Sequence, residues 1–228
     1  MEQILNSLSI SPIQVVDADI PLEQYTAISI SSENKALKEF DVASSIEWSS
    51  YLDQYLEEKQ AKVAYGGYLE KRDIYKRSNY FNTTEATEER NIHLGIDLWC
   101  NEGTKVLAAL DGTIHSFQNN KNHGDYGPTI ILEHHLENIT FYTLYGHLSL
   151  NSLDNIAVGQ EVKKSEVIGF LGDNSVNGDY APHLHFQLIL DLQGNSGDYP
   201  GVCSEKNINL YKKNCPNPNL LLKLPHEI

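Results

Sequence analysis

From residue 91 onward, apolar and polar residues alternate in short runs separated by Gly, Asn, Asp and Pro, the period of half-buried strands with frequent turns. Residues 105–109, 112–117, 129–134, 140–144, 167–171 and 184–190 are the candidate strands. Val158-Gly159-Gln160-Glu161-Val162 reads as a turn entering another. A single helical period precedes them. Ser44 and Glu47 have the spacing of a capping box, and Trp48, Tyr51, Leu52, Tyr55 and Leu56 then share one helical face, which predicts a helix packed on the main body. The pattern predicts a mainly β protein in three parts: a partly helical N-terminal segment (1–60) packing on the core, a Tyr-rich joint (61–90), and a β-rich domain with a C-terminal tail (91–228). The joint runs from Tyr65-Gly66-Gly67-Tyr68 to Tyr80-Phe81, with mixed Lys and Arg between.

Two alternating segments carry chemistry. In His93-Leu94-Gly95-Ile96-Asp97-Leu98, a single strand would place His93 and Asp97 on one face and Leu94, Ile96 and Leu98 on the other, with Gly95 leaving room for an ion. His183-Leu184-His185-Phe186-Gln187-Leu188 repeats the pattern, with His183, His185 and Gln187 opposite three apolar residues. Either segment alone fits an exposed polar face. Together they offer ligand types that zinc accepts, and two His with one Asp leave the fourth tetrahedral position open, as in catalytic sites. A closed structural site usually takes cysteines, and Cys100, Cys203 and Cys215 lack Cys-x-x-Cys spacing. Alternation puts Cys100 opposite His93 and Asp97, as a buried thiol.

His147 ends the run Phe141-Tyr142-Thr143-Leu144-Tyr145-Gly146 and is placed to look into the same site. His115, His123, His134, His135 and His226 read as structural or solvated. Gly-Asp-Tyr occurs at 124–126, 178–180 and 197–199, each in a polar loop. Turn chemistry explains these copies, and Tyr126 and Tyr180 are equally candidates for lining a substrate cleft.

Composition narrows the classes. The chain has 228 residues, 40% hydrophobic and 21% charged, enough to bury a core. A formal charge of −14 with no Lys/Arg stripe argues against nucleic acid and anionic membranes as partners, and no obligatory protein partner is evident. The opening residues show no signal h-region or membrane span, so the sequence as it stands reads as cytoplasmic, although a trimmed secreted or periplasmic protein would look the same. The cysteines fit reduced thiols, with a Cys203–Cys215 bridge as the minority alternative.

These residues resemble the lysostaphin/LytM-type zinc metallopeptidases, the peptidoglycan-directed endopeptidases built on a duplicated hybrid motif. The likeness runs from about residue 91 to 190. It includes His93-Leu94-Gly95-Ile96-Asp97, Gly103-Thr104-Lys105-Val106, Asp111-Gly112, Tyr142-Thr143-Leu144-Tyr145-Gly146-His147-Leu148-Ser149, Gly159-Gln160-Glu161-Val162, Ile168-Gly169 and Pro182-His183-Leu184-His185-Phe186. The resemblance implies an antiparallel β-sheet core of barrel-sandwich hybrid type, one Zn2+ per chain held by His93, Asp97 and His185, and catalytic roles for His183 and His147. It also implies a peptide substrate, from a peptidoglycan cross-bridge or stem peptide. Several positions depart from the pattern: Gln187 stands where Glu is frequent, Ser165 where Gly is usual, and Gly178-Asp179-Tyr180-Ala181 where Ser/Thr-Gly precedes Pro-His. The rival readings are a phosphotransferase-type phosphocarrier, a lipoyl or biotinyl carrier, and a catalytically silent binding module on the same barrel.

Overall fold

Alternation in the sequence becomes one large sheet with a different task on each face. The computed structural model describes residues 2–8, 11–77, 88–136 and 139–225. Its early strands are β1 (Tyr25–Ala27), β2 (Val63–Gly66), β3 (Arg90–His93), β4 (Ile96–Trp99), β5 (Lys105–Leu107) and β6 (Gly112–Asn120). The later ones are β7 (Gly127–Leu136), β8 (Ile139–Gly146), β9 (Glu161–Val162), β10 (Val167–Phe170), β11 (His183–Ile189) and β12 (Val202–Ser204). The main sheet has the order β1-β2-β4-β11-β8-β7-β6-β9, while β10 pairs with β5 and β12 with β3. Within it β1 and β2 run parallel and the remaining pairs antiparallel. The fold is mainly β, as the periodicity predicts.

One face of this sheet packs into the principal core through Ile96, Leu98, Ile130, Leu132, Tyr145, Leu184 and Phe186. The opposite face is divided. Ile131, Leu144 and Ile189 enter a second apolar cluster with Tyr199, Cys203 and Cys215, whereas Asp97, His183 and His185 face a pocket. Strand periodicity thus puts the aliphatic set in the core and the polar set in the pocket without further instruction. The three cysteines are buried and unbridged, so no Cys203–Cys215 bond closes a loop.

Two expectations need correction. Residues 93–98 do not form one strand: the ladder breaks at Leu94-Gly95, β3 leaves to pair with β12, and only β4 stays in the main sheet. Leu94 consequently joins the second cluster, away from Ile96 and Leu98, with its N–H donated to the Gly201 carbonyl at 2.8 Å. The second correction concerns the joint. Its β2 lies inside the main sheet between β1 and β4, with Val63, Ala64 and Tyr65 almost fully buried. A strand buried on both faces has no alternation to betray it, which is why the sequence pattern passed over it. Tyr80 and Phe81, at the far end of that joint, and His226 lie outside the described residues.

The predicted helix is present as α1 (Ser45–Lys59), N-capped by the Ser44 hydroxyl, which accepts the Glu47 N–H. Glu47 does not complete a capping box; its carboxylate accepts from the Asp41 N–H instead. Trp48 and Leu52 bury against Ile28, Ile30, Ala64, Trp99 and Ala181, so the helix covers the end of β4 beside the pocket. At its start Ser45 donates to Asp179 Oδ1 at 2.7 Å, tying the helix to the loop that leads into β11.

Candidate metal centre

Strand register assembles the site. Asp97 on β4 lies directly opposite His185 on β11, whose other neighbour across the ladder is Gly146 of β8, one residue before His147. His93 reaches the same point from the end of β3. All three candidate ligands are buried. His93 Nε2 is 2.8 Å from His185 Nδ1 and 3.2 Å from Asp97 Oδ1, and His185 Nδ1 is 3.1 Å from the same oxygen.

Hydrogen bonds on the far side of each ring fix the tautomers. His93 Nδ1 lies 3.0 Å from the Gly67 carbonyl, which can only accept, so the proton is on Nδ1 and the Nε2 lone pair is free. His185 Nε2 lies 2.9 Å from Gln187 Oε1, and Gln187 uses its amide N–H on the Pro200 carbonyl, so His185 carries its proton on Nε2 and frees Nδ1. Three acceptor atoms therefore converge with no proton left among them. That arrangement is repulsive alone and favourable around a cation. The triangle is close to what tetrahedral zinc with bonds of about 2.0–2.1 Å requires, an edge of roughly 3.3 Å. The outer partners, Gly67 and Gln187, are those expected of metal-ligating imidazoles. A His-Asp-His site able to hold a metal ion is therefore present.

Electrostatics agree with this protonation. Burial, assisted by the nearby Arg72 cation, pushes the His93 imidazole down to about 3, keeping it neutral. For Asp97, burial by itself would raise the pKa, but the positive charge beside it, with the Arg72 guanidinium on Oδ2, outweighs burial and holds the carboxyl well below its usual range. Gly95 serves differently from the expectation. A Cβ there would lie 2.7–2.8 Å from the His185 ring, so the glycine makes room for a ligand side chain, not for the ion itself.

His147 and His183 stand beside the triangle. Their rings are 4.1 Å apart between centroids, and His183 Nε2 is 3.9 Å from Asp97 Oδ1. Each fixes Nδ1–H on a backbone carbonyl, His147 on Asn177 at 2.7 Å and His183 on Ala181 at 2.8 Å, which leaves Nε2 of each free for a proton. Desolvation lowers the pKa of both, reinforced for His147 by its two histidine neighbours. His147 also has φ +64°, a left-handed conformation that side chains rarely adopt and that functional sites often hold.

Tyr126 and Tyr180 both line the pocket, largely buried. Tyr126 is wedged between Gly146 and Gly201, where a Cβ would collide with its ring or hydroxyl, and its OH is 3.4 Å from His185 Nε2. Tyr180 donates to the Gly124 carbonyl at 2.8 Å and packs edge-on against His147. Among the other histidines, His134 is buried, His115 lies 2.9 Å from the Ser116 hydroxyl, and His135 pairs with Glu133 at 2.6 Å. The sequence reading missed Arg72, whose guanidinium pairs with Asp97 Oδ2 at 2.6 Å, and the support of His185 by Gln187. Gln187 was visible on the polar face of its strand, but Arg72 carried no signal within its mixed Lys/Arg run.

Fold and site together define a β-sheet domain with a His-Asp-His site able to hold a metal ion. Residues 91–197 match the model of peptidase family M23. Among similar proteins is the DD-carboxypeptidase/endopeptidase Mpg of Neisseria meningitidis serogroup B, 40% identical over 102 residues, covering 45% of this chain and 21% of that protein. The peptidoglycan DD-endopeptidase ShyC of Vibrio cholerae is 29% identical over 123 residues, covering 52% of this chain and 26% of that protein. The chain thus spans about a quarter or less of the length of these curated relatives. The crystallised catalytic domain of lysostaphin from Staphylococcus simulans aligns over 54% of this chain and 80% of its own, at 27% identity and a TM-score of 0.35.

Proposed function

We propose that this chain is a zinc-dependent endopeptidase that hydrolyses a peptide bond in peptidoglycan, either in a cross-bridge or in a stem peptide. The observation that carries the reading is the convergence of the His93, Asp97 and His185 lone pairs on one point beside a pocket. The family match and the names of two relatives, a DD-carboxypeptidase/endopeptidase and a peptidoglycan DD-endopeptidase, support the substrate class.

Zinc bound there would supply Lewis acidity towards the scissile carbonyl and acidify a coordinated water. The chain's own residues supply the rest. His183 and His147, neutral and anchored through Nδ1, present Nε2 as a proton acceptor on the substrate side. Once protonated, either ring can return the proton to the leaving amine, and an Nε2–H directed at the carbonyl oxygen stabilises developing negative charge. Tyr126 and Tyr180 wall the pocket where a peptide would lie. A phosphocarrier has no use for three convergent acceptors, which favours the peptidase.

The test compares wild type, His185→Ala and His183→Ala for zinc content and for cleavage of purified peptidoglycan and glycine-rich cross-bridge peptides. Wild type should hold one zinc and cut, H185A should lose both properties, and H183A should keep zinc while losing cleavage. Zinc-loaded wild type that leaves every wall fragment intact would sink the substrate assignment.

A further inference from the structure

The residues that hold Asp97 from behind come from the N-terminal third of the chain, outside the stretch matched to the peptidase family. Asp97 divides its carboxylate. Oδ1 faces His93 and His185, while Oδ2 accepts from Arg72 Nη1 at 2.6 Å. Arg72 is itself held on several sides: Nε donates to Glu70 Oε2 at 2.8 Å, Nη1 lies 3.3 Å from the Tyr75 hydroxyl, and the guanidinium sits 5.7 Å over the Trp99 ring. Glu70 is fixed in turn, its Oε1 accepting from Ser29 Oγ at 2.7 Å and from the Ile30 N–H at 2.9 Å. The side chains of Arg72 and Asp97 are each only 3% exposed, and that of Glu70 8%.

Gly67 permits the arrangement. It has φ +106°, and a Cβ there would stand 1.8 Å from Arg72 Nη2, while its carbonyl orients His93. The same turn therefore sets one ligand and admits the arginine that sets another.

We propose that Arg72 is a positioning residue for the metal centre, holding Asp97 as a one-oxygen ligand and offsetting its charge, with Glu70 anchoring it to residues 29–30. The inference rests on reading His93, Asp97 and His185 as metal ligands. A carboxylate free to rotate beside a divalent ion can chelate it with both oxygens; with Oδ2 occupied by the guanidinium, one oxygen remains. Lysine at position 72 would keep the positive charge but not the fork that spans Glu70 and Asp97.

The experiment loads wild type, R72K, R72Q and E70Q with Co2+ and records the visible spectrum, then measures zinc affinity by chelator competition, with apoprotein melting as the fold control. Wild type should give the intense bands of four-coordinate cobalt. R72K and R72Q should give the weaker bands of higher coordination and bind zinc about 10–100-fold less tightly, the usual consequence of losing an outer-shell partner. E70Q, which leaves Asp97 and Arg72 in place, should shift both readouts the same way by less. Folded R72K or R72Q with the wild-type spectrum and affinity overturns the proposal. Should neither fold, unchanged spectrum and affinity in E70Q overturn it. Wild type that takes up neither metal instead overturns the metal-site reading, a failure recognisable before any variant is made.

Discussion

Asp97 and His185 sit directly opposite each other across the β4–β11 ladder, with Asp97 Oδ1 3.1 Å from His185 Nδ1. Because neighbours on an antiparallel pair are fixed by register, the two candidate ligands are positioned by the sheet and not by a loop. Substituting His185 should therefore remove a ligand without disturbing the strands. His185→Ala is expected to weaken zinc binding by more than the roughly 100-fold that outer-shell losses cost, measured by chelator competition. Its melting curve without metal should stay close to that of wild type.

How much of this was legible in advance follows from what alternation can encode. His183, His185 and Asp97 were readable because strict period two places them opposite apolar neighbours, and Leu184, Phe186, Ile96 and Leu98 occupy the core that this demands. The break after His93 was not readable, since Leu94 and Gly95 continue the alternation while the backbone changes partner from β12 to β11. Val63–Gly66 left no trace because a strand buried on both faces shows no period. Arg72 was hidden for a different reason. Its role depends on a contact between residues 25 apart, and a lysine and arginine run ordinarily signals a solvated surface.

Gly95 offers a test of close packing at the centre. A Cβ there would lie 2.7 Å from the Phe186 carbonyl oxygen and 2.7–2.8 Å from the His185 ring, both nearer than side chains tolerate. The backbone oxygen cannot rotate away, so the strain must be relieved by moving β4 against β11. Gly95→Ala is expected to destabilise the protein by about 1–3 kcal/mol and to lower zinc affinity with it. Calorimetric zinc titration and thermal melting check the two effects, and wild-type values for both would show that the site has slack the contacts do not suggest.

Ser165, where the resembled family usually has glycine, has φ +65° in an exposed turn closed by the Glu166 N–H on the Lys163 carbonyl. The third position of such a turn favours glycine because a side chain there is strained. Ser165→Gly should relieve about 1 kcal/mol of strain, partly offset by the greater freedom of glycine in the unfolded chain. The expected result is a melting temperature raised by roughly 1–4 °C. A lower melting temperature in the variant would show that the serine side chain contributes more than its backbone costs.

His134 gives the protein a pH dependence separate from the metal centre. It is buried, with Nδ1–H donated to the Asp111 carbonyl at 2.9 Å and Nε2 2.7 Å from the Thr143 hydroxyl. Burial lowers its pKa, and the neighbouring His135 adds to the effect. The folded state therefore takes up a proton at lower pH than the unfolded state, whose histidine titrates near 6.5. Between those two values the unfolded chain binds more protons, so stability falls as the pH drops below about 6.5 and the loss ends only below the folded pKa. One histidine contributes at most about 1.4 kcal/mol per pH unit within that window. His134→Gln removes the titrating group while keeping a donor and an acceptor. Its unfolding free energy, measured by urea titration in the presence of a chelator, should fall less than that of wild type between pH 7.5 and 5.5. Equal losses in the two proteins would assign the acid sensitivity to the pocket histidines instead.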